Sequence, residues 1–181
     1  MGMAGNDVTN LLLTGRPGIG KSTALQRTLP LLTDLRVSGF VTEEIREGGQ
    51  RVGFRAASLT GVARVMARRG LVSPHRVGNY GVDVLALDDV LLAALEEGVA
   101  ADVFLVDEIG KMELASARFV AAVIKLLADP RPLVATIAQR GSGLIADAVR
   151  RPDVEVWQVD YASRDDLPGR VAAWIRGRRS S

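Results

Sequence analysis

Runs of consecutive apolar residues alternate along this chain with stretches in which apolar residues return every three or four positions, so buried strands and amphipathic helices should take turns. The first run, residues 10–14, reads as a strand, and residues 22–28 read as a helix that Leu29-Pro30 stops. Residues 37–45 and 51–59 look strand-like around Glu47-Gly48-Gly49-Gln50, whose paired glycines suit a hairpin turn, and 62–66 offers a third short strand. Arginines interspersed with Gly70, Pro74, Gly78 and Gly81 make 67–82 read as an irregular loop. A helix is expected over 87–97, with Asp88 and Asp89 in its opening turn and Gly98 as its C-terminal cap. Strand 103–106, helix 116–128, strand 132–137, short helix 144–150 and strand 154–159 follow. Ser163 or Asp165 is the expected cap of a final helix with Pro168 in its first turn and Leu167, Val171, Trp174 and Ile175 as its apolar stripe.

Strands alternating with helices imply an α/β fold: a doubly wound, mainly parallel sheet with helices on both faces, carrying an early β-hairpin insertion. Neither an internal repeat nor a linker divides the chain. Residues 1–7 are expected to be a flexible lead-in, 8–177 a single domain and 178–181 a basic tail.

Composition narrows the function classes. The apolar runs fall far short of the ~20 residues that cross a bilayer, and the N-terminus lacks a basic-then-apolar leader, so a cytoplasmic protein without membrane contact is expected. There is no cysteine, which excludes disulfides and thiolate chemistry. The net charge is only +2, with the basic excess confined to Arg64, Arg68, Arg69 and Arg76 and to Arg176, Arg178 and Arg179, so nucleic acid is a weakly supported partner. The oligomeric state is not encoded in any recognisable pattern.

The candidate chemistry begins where the first strand ends. Gly15-Arg16-Pro17-Gly18-Ile19-Gly20-Lys21-Ser22-Thr23 fits the phosphate-binding loop G-x-x-x-x-G-K-[ST] between a strand and a helix. Its glycines let backbone N–H groups from Gly18 to Ser22 turn inward as an anion nest, at the positive end of the helix dipole. Lys21 supplies a point charge between β- and γ-phosphates, and the Ser22 hydroxyl suits a magnesium ion. Pro17 stiffens the loop. Asp107, at the end of an apolar strand, is the expected acidic partner on the metal, and Glu108 beside it suits a general base that polarises water for attack on the γ-phosphate. Glu113 is a second candidate base, or simply an acid favoured by a helix start.

These motifs, with Gly39-Phe40-Val41-Thr42-Glu43-Glu44-Ile45-Arg46, Arg51-Val52-Gly53-Phe54, Arg76-Val77-Gly78-Asn79-Tyr80-Gly81-Val82 and Asp107-Glu108-Ile109-Gly110-Lys111-Met112-Glu113, resemble the THEP-type nucleoside-triphosphatase family of P-loop NTPases. The resemblance runs from Leu11 to about Trp174. It implies a RecA-like sheet in which another strand, at Leu133–Ile137, separates the phosphate-loop strand from the Asp107 strand. It also implies slow, magnesium-dependent hydrolysis of ATP, GTP and other nucleoside triphosphates to diphosphate and phosphate, with Lys21 and Glu108 catalytic and Ser22 and Asp107 on the metal. Val41 and Ser163 depart from the family pattern, where an aromatic residue and Asn are common.

No Asn-Lys-x-Asp element for reading guanine is present, which agrees with broad base tolerance. Arg46 or Arg76 could place charge near the phosphate, and Tyr80 or Phe40 could stack on a base, although solvated arginines and buried aromatics are the commoner outcomes. Two other functions share the phosphate loop: a nucleotide or nucleoside kinase with residues 64–76 as an arginine-bearing lid, and a nucleotide-regulated module that docks RNA or protein.

Overall fold

Leu11, Leu12 and Leu13 are all fully buried, because the strand that carries them is covered on both faces. The computed structural model describes residues 8–179; the expected lead-in at 1–7 and the last two residues of the expected tail lie outside them. In β1 (Asn10–Thr14) successive side chains point to opposite faces. Leu12 enters one core, and Leu11 and Leu13 enter the other.

The helices that cover those faces come from both directions along the sheet. The second core contains Leu25 of α1 (Lys21–Thr28) and Val171 and Ile175 of α5 (Leu167–Arg179). The first contains Leu87 and Leu91 of α2 (Val84–Glu97), Phe119 and Val123 of α3 (Ala117–Leu127) and Ile145 of α4 (Leu144–Ala148). A sheet sandwiched this way excludes water from its central strands, and each fully buried leucine there contributes roughly 1.5–3 kcal/mol.

Among the described residues the sheet has nine strands: β2 (Val37–Glu47), β3 (Gln50–Ser58), β4 (Ala63–Arg69), β5 (Arg76–Val77), β6 (Tyr80–Val82), β7 (Val103–Ile109), β8 (Leu133–Ile137) and β9 (Val154–Gln158) join β1 in the order β5-β6-β4-β3-β2-β7-β8-β1-β9. From β2 to β9 the pairings are parallel, so the carboxyl ends of β1, β7 and β8 meet at one edge. β8 separates β1 from β7.

The other half of the sheet differs from the sequence expectation. From β2 to β5 every pairing is antiparallel, so the sheet is evenly mixed rather than mainly parallel. The hairpin extends the same sheet as a wing. Its turn uses Gly48 at φ 56° and Gly49 at φ 78°, as the paired glycines indicated. The stretch 67–82 is not a loop. Its first residues complete β4, where Met66 and Ala67 are buried while Arg64, Arg68 and Arg69 face solvent, and its last residues form β5 and β6.

Helix ends also moved. α2 starts at Val84 because the Asp83 carboxylate accepts the Ala86 N–H at 3.0 Å, leaving Asp88 and Asp89 beyond the opening turn. Gly98 ends α2 in a right-handed conformation, φ −65°, and is required instead by the Phe104 ring, 2.8 Å from where a Cβ would stand. Ser116 caps α3 by accepting the Phe119 N–H at 3.0 Å. Ser163 does not cap α5; its hydroxyl and amide bond Asp160 in the preceding turn. Arg178 and Arg179 belong to α5 rather than to a tail.

Where β2 meets β7, the backbones approach so closely that a Cβ on Gly39, at φ 134°, would stand 1.8 Å from the Leu105 carbonyl oxygen. Gly39→Ala is therefore expected to destabilise the fold by roughly 3 kcal/mol or more, through backbone strain and steric overlap together. Denaturant unfolding checks this, and an unchanged midpoint would contradict the close approach.

Candidate active site

The turn that follows β1 is held to the sheet from below and opens above. Ile19 is buried in the core shared by α1 and α5 and anchors the loop. Gly18 at φ 77° and Gly20 at φ 111° adopt conformations that side chains resist. α1 then begins at Lys21 with no acidic residue in its first turn. Its leading N–H groups have no partner within the helix, so they and the positive end of the helix dipole are open to an anion.

That loop forms one wall of a cavity of ≈ 750 Å³. Of the residues the sequence singled out, Pro17, Gly18, Gly20, Lys21, Ser22, Thr23, Arg46, Glu108 and Glu113 line it. Gly15, Arg16, Ile19 and Asp107 do not. Gly15 backs the loop, with Lys21 Nζ donating to its carbonyl at 3.1 Å, and Arg16 is exposed. Asp107 is wholly buried beneath the cavity.

Asp107 is the point on which the elements converge. Its Oδ1 accepts the Ser22 hydroxyl at 2.8 Å and the Thr136 hydroxyl, and its Oδ2 accepts the Thr42 hydroxyl at 3.1 Å and the Thr42 N–H at 3.4 Å. The sequence marked Ser22 but assigned no role to Thr42 or Thr136. The available signal was a threonine inside the otherwise apolar run Leu133–Ile137, a polar group that burial obliges to find a partner. The Ser22 and Asp107 oxygens form an all-oxygen donor pair at the spacing of about 3 Å that neighbouring ligands of an octahedral magnesium require, so these residues fit that ion.

Glu108 leans the other way, into the cavity, with Oε2 at 3.8 Å from Lys21 Nζ. Burial raises its pKa, the Lys21 ammonium opposes that shift and the Asp107 carboxylate adds to it. Glu113 opens a short 3₁₀ turn (Glu113–Ala115), yet its carboxyl is turned inward at 5% exposure rather than solvated as a helix-start acid would be. Burial pushes it up to about 8, against hydrogen bonds from its own N–H and that of Gly110. A Cβ on Gly110 would lie 2.9 Å from both Glu108 Oε1 and Glu113 Oε2, so the two carboxyl groups flank one glycine at the cavity floor.

The arginine candidates separate. Arg46 lines the cavity and Arg76 does not. The arginines of the proposed lid have partners outside the cavity: Arg64 pairs with Asp89 of α2 and Arg68 with Glu47 at the end of β2. Phe40 packs edge-on against Phe119 with ring centroids 5.9 Å apart, and Tyr80 against Phe54, so neither aromatic is offered to a base. Among the described residues, no helix is long and apolar enough to cross a membrane.

Known proteins resemble this chain in sequence and fold. A family described as NTPase matches residues 10–172. The nucleoside-triphosphatase THEP1 of Thermofilum pendens is 44% identical, over 92% of this chain and 94% of its own length. The human cancer-related nucleoside-triphosphatase is 33% identical, over 94% of this chain and 98% of its own. The crystal structure of THEP1 from Aquifex aeolicus superposes with a TM-score of 0.84 at 30% identity, covering 92% of this chain and 98% of that one. The solution structure of the human protein gives 0.79 at 34% identity, covering 93% and 97%.

The Glu113 carboxyl carries a pH signature. Below its ordinary value of 4.5 it is protonated whether the chain is folded or not; between there and about 8 the unfolded chain releases the proton while the folded chain keeps it. Stability is therefore lost as pH rises through that window. Glu113→Gln cannot ionise, so its stability relative to the parent should climb between about pH 5 and 8, by on the order of 4 kcal/mol at the upper end. Identical pH dependence of the two unfolding curves would contradict this.

Proposed function

This chain belongs to the THEP-type nucleoside-triphosphatase family and is an NTP-hydrolysing enzyme, and from that premise we propose that it cleaves the γ-phosphate of ATP, GTP and other nucleoside triphosphates, slowly and with little regard for the base. The RecA-like type of P-loop fold is part of the same proposal, supported by β8 standing between β1 and β7. A cytoplasmic setting suits these substrates and the absence of cysteine.

The observation that carries the reading is the Glu108 carboxylate 3.8 Å from the Lys21 ammonium at the mouth of the phosphate loop. The backbone from Gly18 to Thr23 holds the phosphate chain, and Lys21 sets its charge against the β- and γ-oxygens. Glu108 orients a water and takes its proton as the oxygen attacks the γ-phosphorus and the bond to the β-phosphate oxygen breaks, releasing nucleoside diphosphate and phosphate. Ser22 and Asp107 would hold magnesium, which when bound supplies charge neutralisation to the phosphate oxygens. Thr42 and Thr136 fix the Asp107 carboxylate so that both of its oxygens are already oriented. Breadth towards bases is supported by the missing guanine-reading element; the slow rate rests on the family resemblance.

Glu108→Gln is expected to lower hydrolysis by about 10² to 10⁴-fold while nucleotide affinity stays near that of the parent. A phosphate-release assay alongside nucleotide titration measures both, and near-normal turnover would remove Glu108 from the role of base.

A further inference from the structure

The cavity is larger than a phosphate chain needs, and its outer end contains chemistry that hydrolysis does not use. It continues from Ser22 and Glu108 along β2 and onto β3, where Arg46, Arg51 and Phe54 line it. Four residues of strand separate Thr42 from Arg46, about 13 Å. The segment after β9 lies on the opposite side of the phosphate loop: Gly15 rests against Val159 and Gln158, and Gly20 faces Arg164. A nucleotide with its γ-phosphate at Glu108 and its nucleoside turned to that β9 side would leave the outer cavity open.

The charge at that outer end does not cancel. Glu44 is shared by two guanidinium groups, Arg46 at 2.6 Å and Arg51 at 2.8 Å. The neighbouring Glu43 is already matched by Arg55. One positive charge is left over on the wall, and Lys111 on the rim adds to it. Both guanidinium groups are also held in place. Arg46 donates to the Gly49 carbonyl at 3.0 Å, and Arg51 donates to the Tyr80 hydroxyl at 3.2 Å while lying 5.1 Å from the centroid of the Phe54 ring. Pre-positioned guanidinium donors with a net positive charge, facing a cavity, recognise oxyanions.

We propose that Arg46 and Arg51 form a second oxyanion subsite, on the γ-phosphate side of the nucleotide, for a phosphate group. The inference rests on the hydrolytic reading only for the direction in which the γ-phosphate points. Two sources share this chemistry: the inorganic phosphate released by the reaction, which departs into this cavity, and the phosphate of a small monoester bound beside the nucleotide.

The test is calorimetric titration of the protein, its phosphate loop filled by a non-hydrolysable ATP analogue with magnesium, using inorganic phosphate and ribose 5-phosphate as probes. A binding event that weakens at least tenfold in Arg46→Ala and in Arg51→Ala, and tightens in Glu44→Gln because a competing carboxylate has gone, is the expected result. Arg46→Ala and Glu44→Gln leave the Phe54–Tyr80 packing alone, so the outcome does not depend on how well Arg51→Ala folds. Tighter binding of ribose 5-phosphate than of phosphate identifies a monoester ligand; the reverse order, with product inhibition by phosphate weakened in Arg46→Ala, identifies the released product. No binding of either probe beyond the phosphate loop, or parental affinity in the arginine variants, overturns the proposal. Turnover of Glu108→Gln tests the hydrolytic reading separately, since a failure there leaves phosphate binding at the arginines intact or absent on its own evidence.

Discussion

A carboxylate with no contact to water is costly unless its oxygens are hydrogen-bonded, and the arrangement of this protein follows from meeting that demand at Asp107. Hydroxyls from α1, β2 and β8 and one backbone N–H from β2 converge on its two oxygens. Removing any donor leaves part of the charge unsatisfied in a buried site, so the acid ties the helix after the phosphate loop to two strands that are distant in sequence. The strand order makes this possible. With β8 between β1 and β7, Thr136 lies directly under the acid, and α1 brings Ser22 across from the far side.

Two neighbouring acids then take different parts. Asp107 is surrounded by donors and buried, whereas Glu108, the next residue, points to the cavity and meets only the Lys21 ammonium at ion-pair distance. Glu113, on the same floor, has no ion-pair partner among the described residues, and burial pushes it up to about 8. A site that must accept a polyanion gains from this division, because the negative charge it carries before the nucleotide arrives is kept to what is paired.

What the sequence revealed was local. A phosphate loop is contiguous and its glycines are visible, and a strand ending in Asp107-Glu108 announces itself by the apolar run before it. What it concealed depends on pairing between distant segments. Thr42 and Thr136 acquire their role only when β2, β7 and β8 are placed side by side. The wing was obscured because its strands bury one face only: in β4, Met66 and Ala67 go inward while the arginines beside them face water, and so many charges read as a loop. β5 has two residues, too few for any periodicity to register. Asp83, not Asp88 or Asp89, fixes the start of α2, because β6 delivers the chain to that point and leaves a single residue to serve as cap.

β2 belongs to both halves of the sheet. Residues 37–40 pair in parallel with β7, and residues 40–47 pair antiparallel with β3, Thr42 among them opposite Ala56. One continuous strand thus joins the outer hairpin to the residue that holds the Asp107 carboxylate. The threonine that holds Asp107 Oδ2 and the arginine that lines the outer cavity therefore share a single backbone.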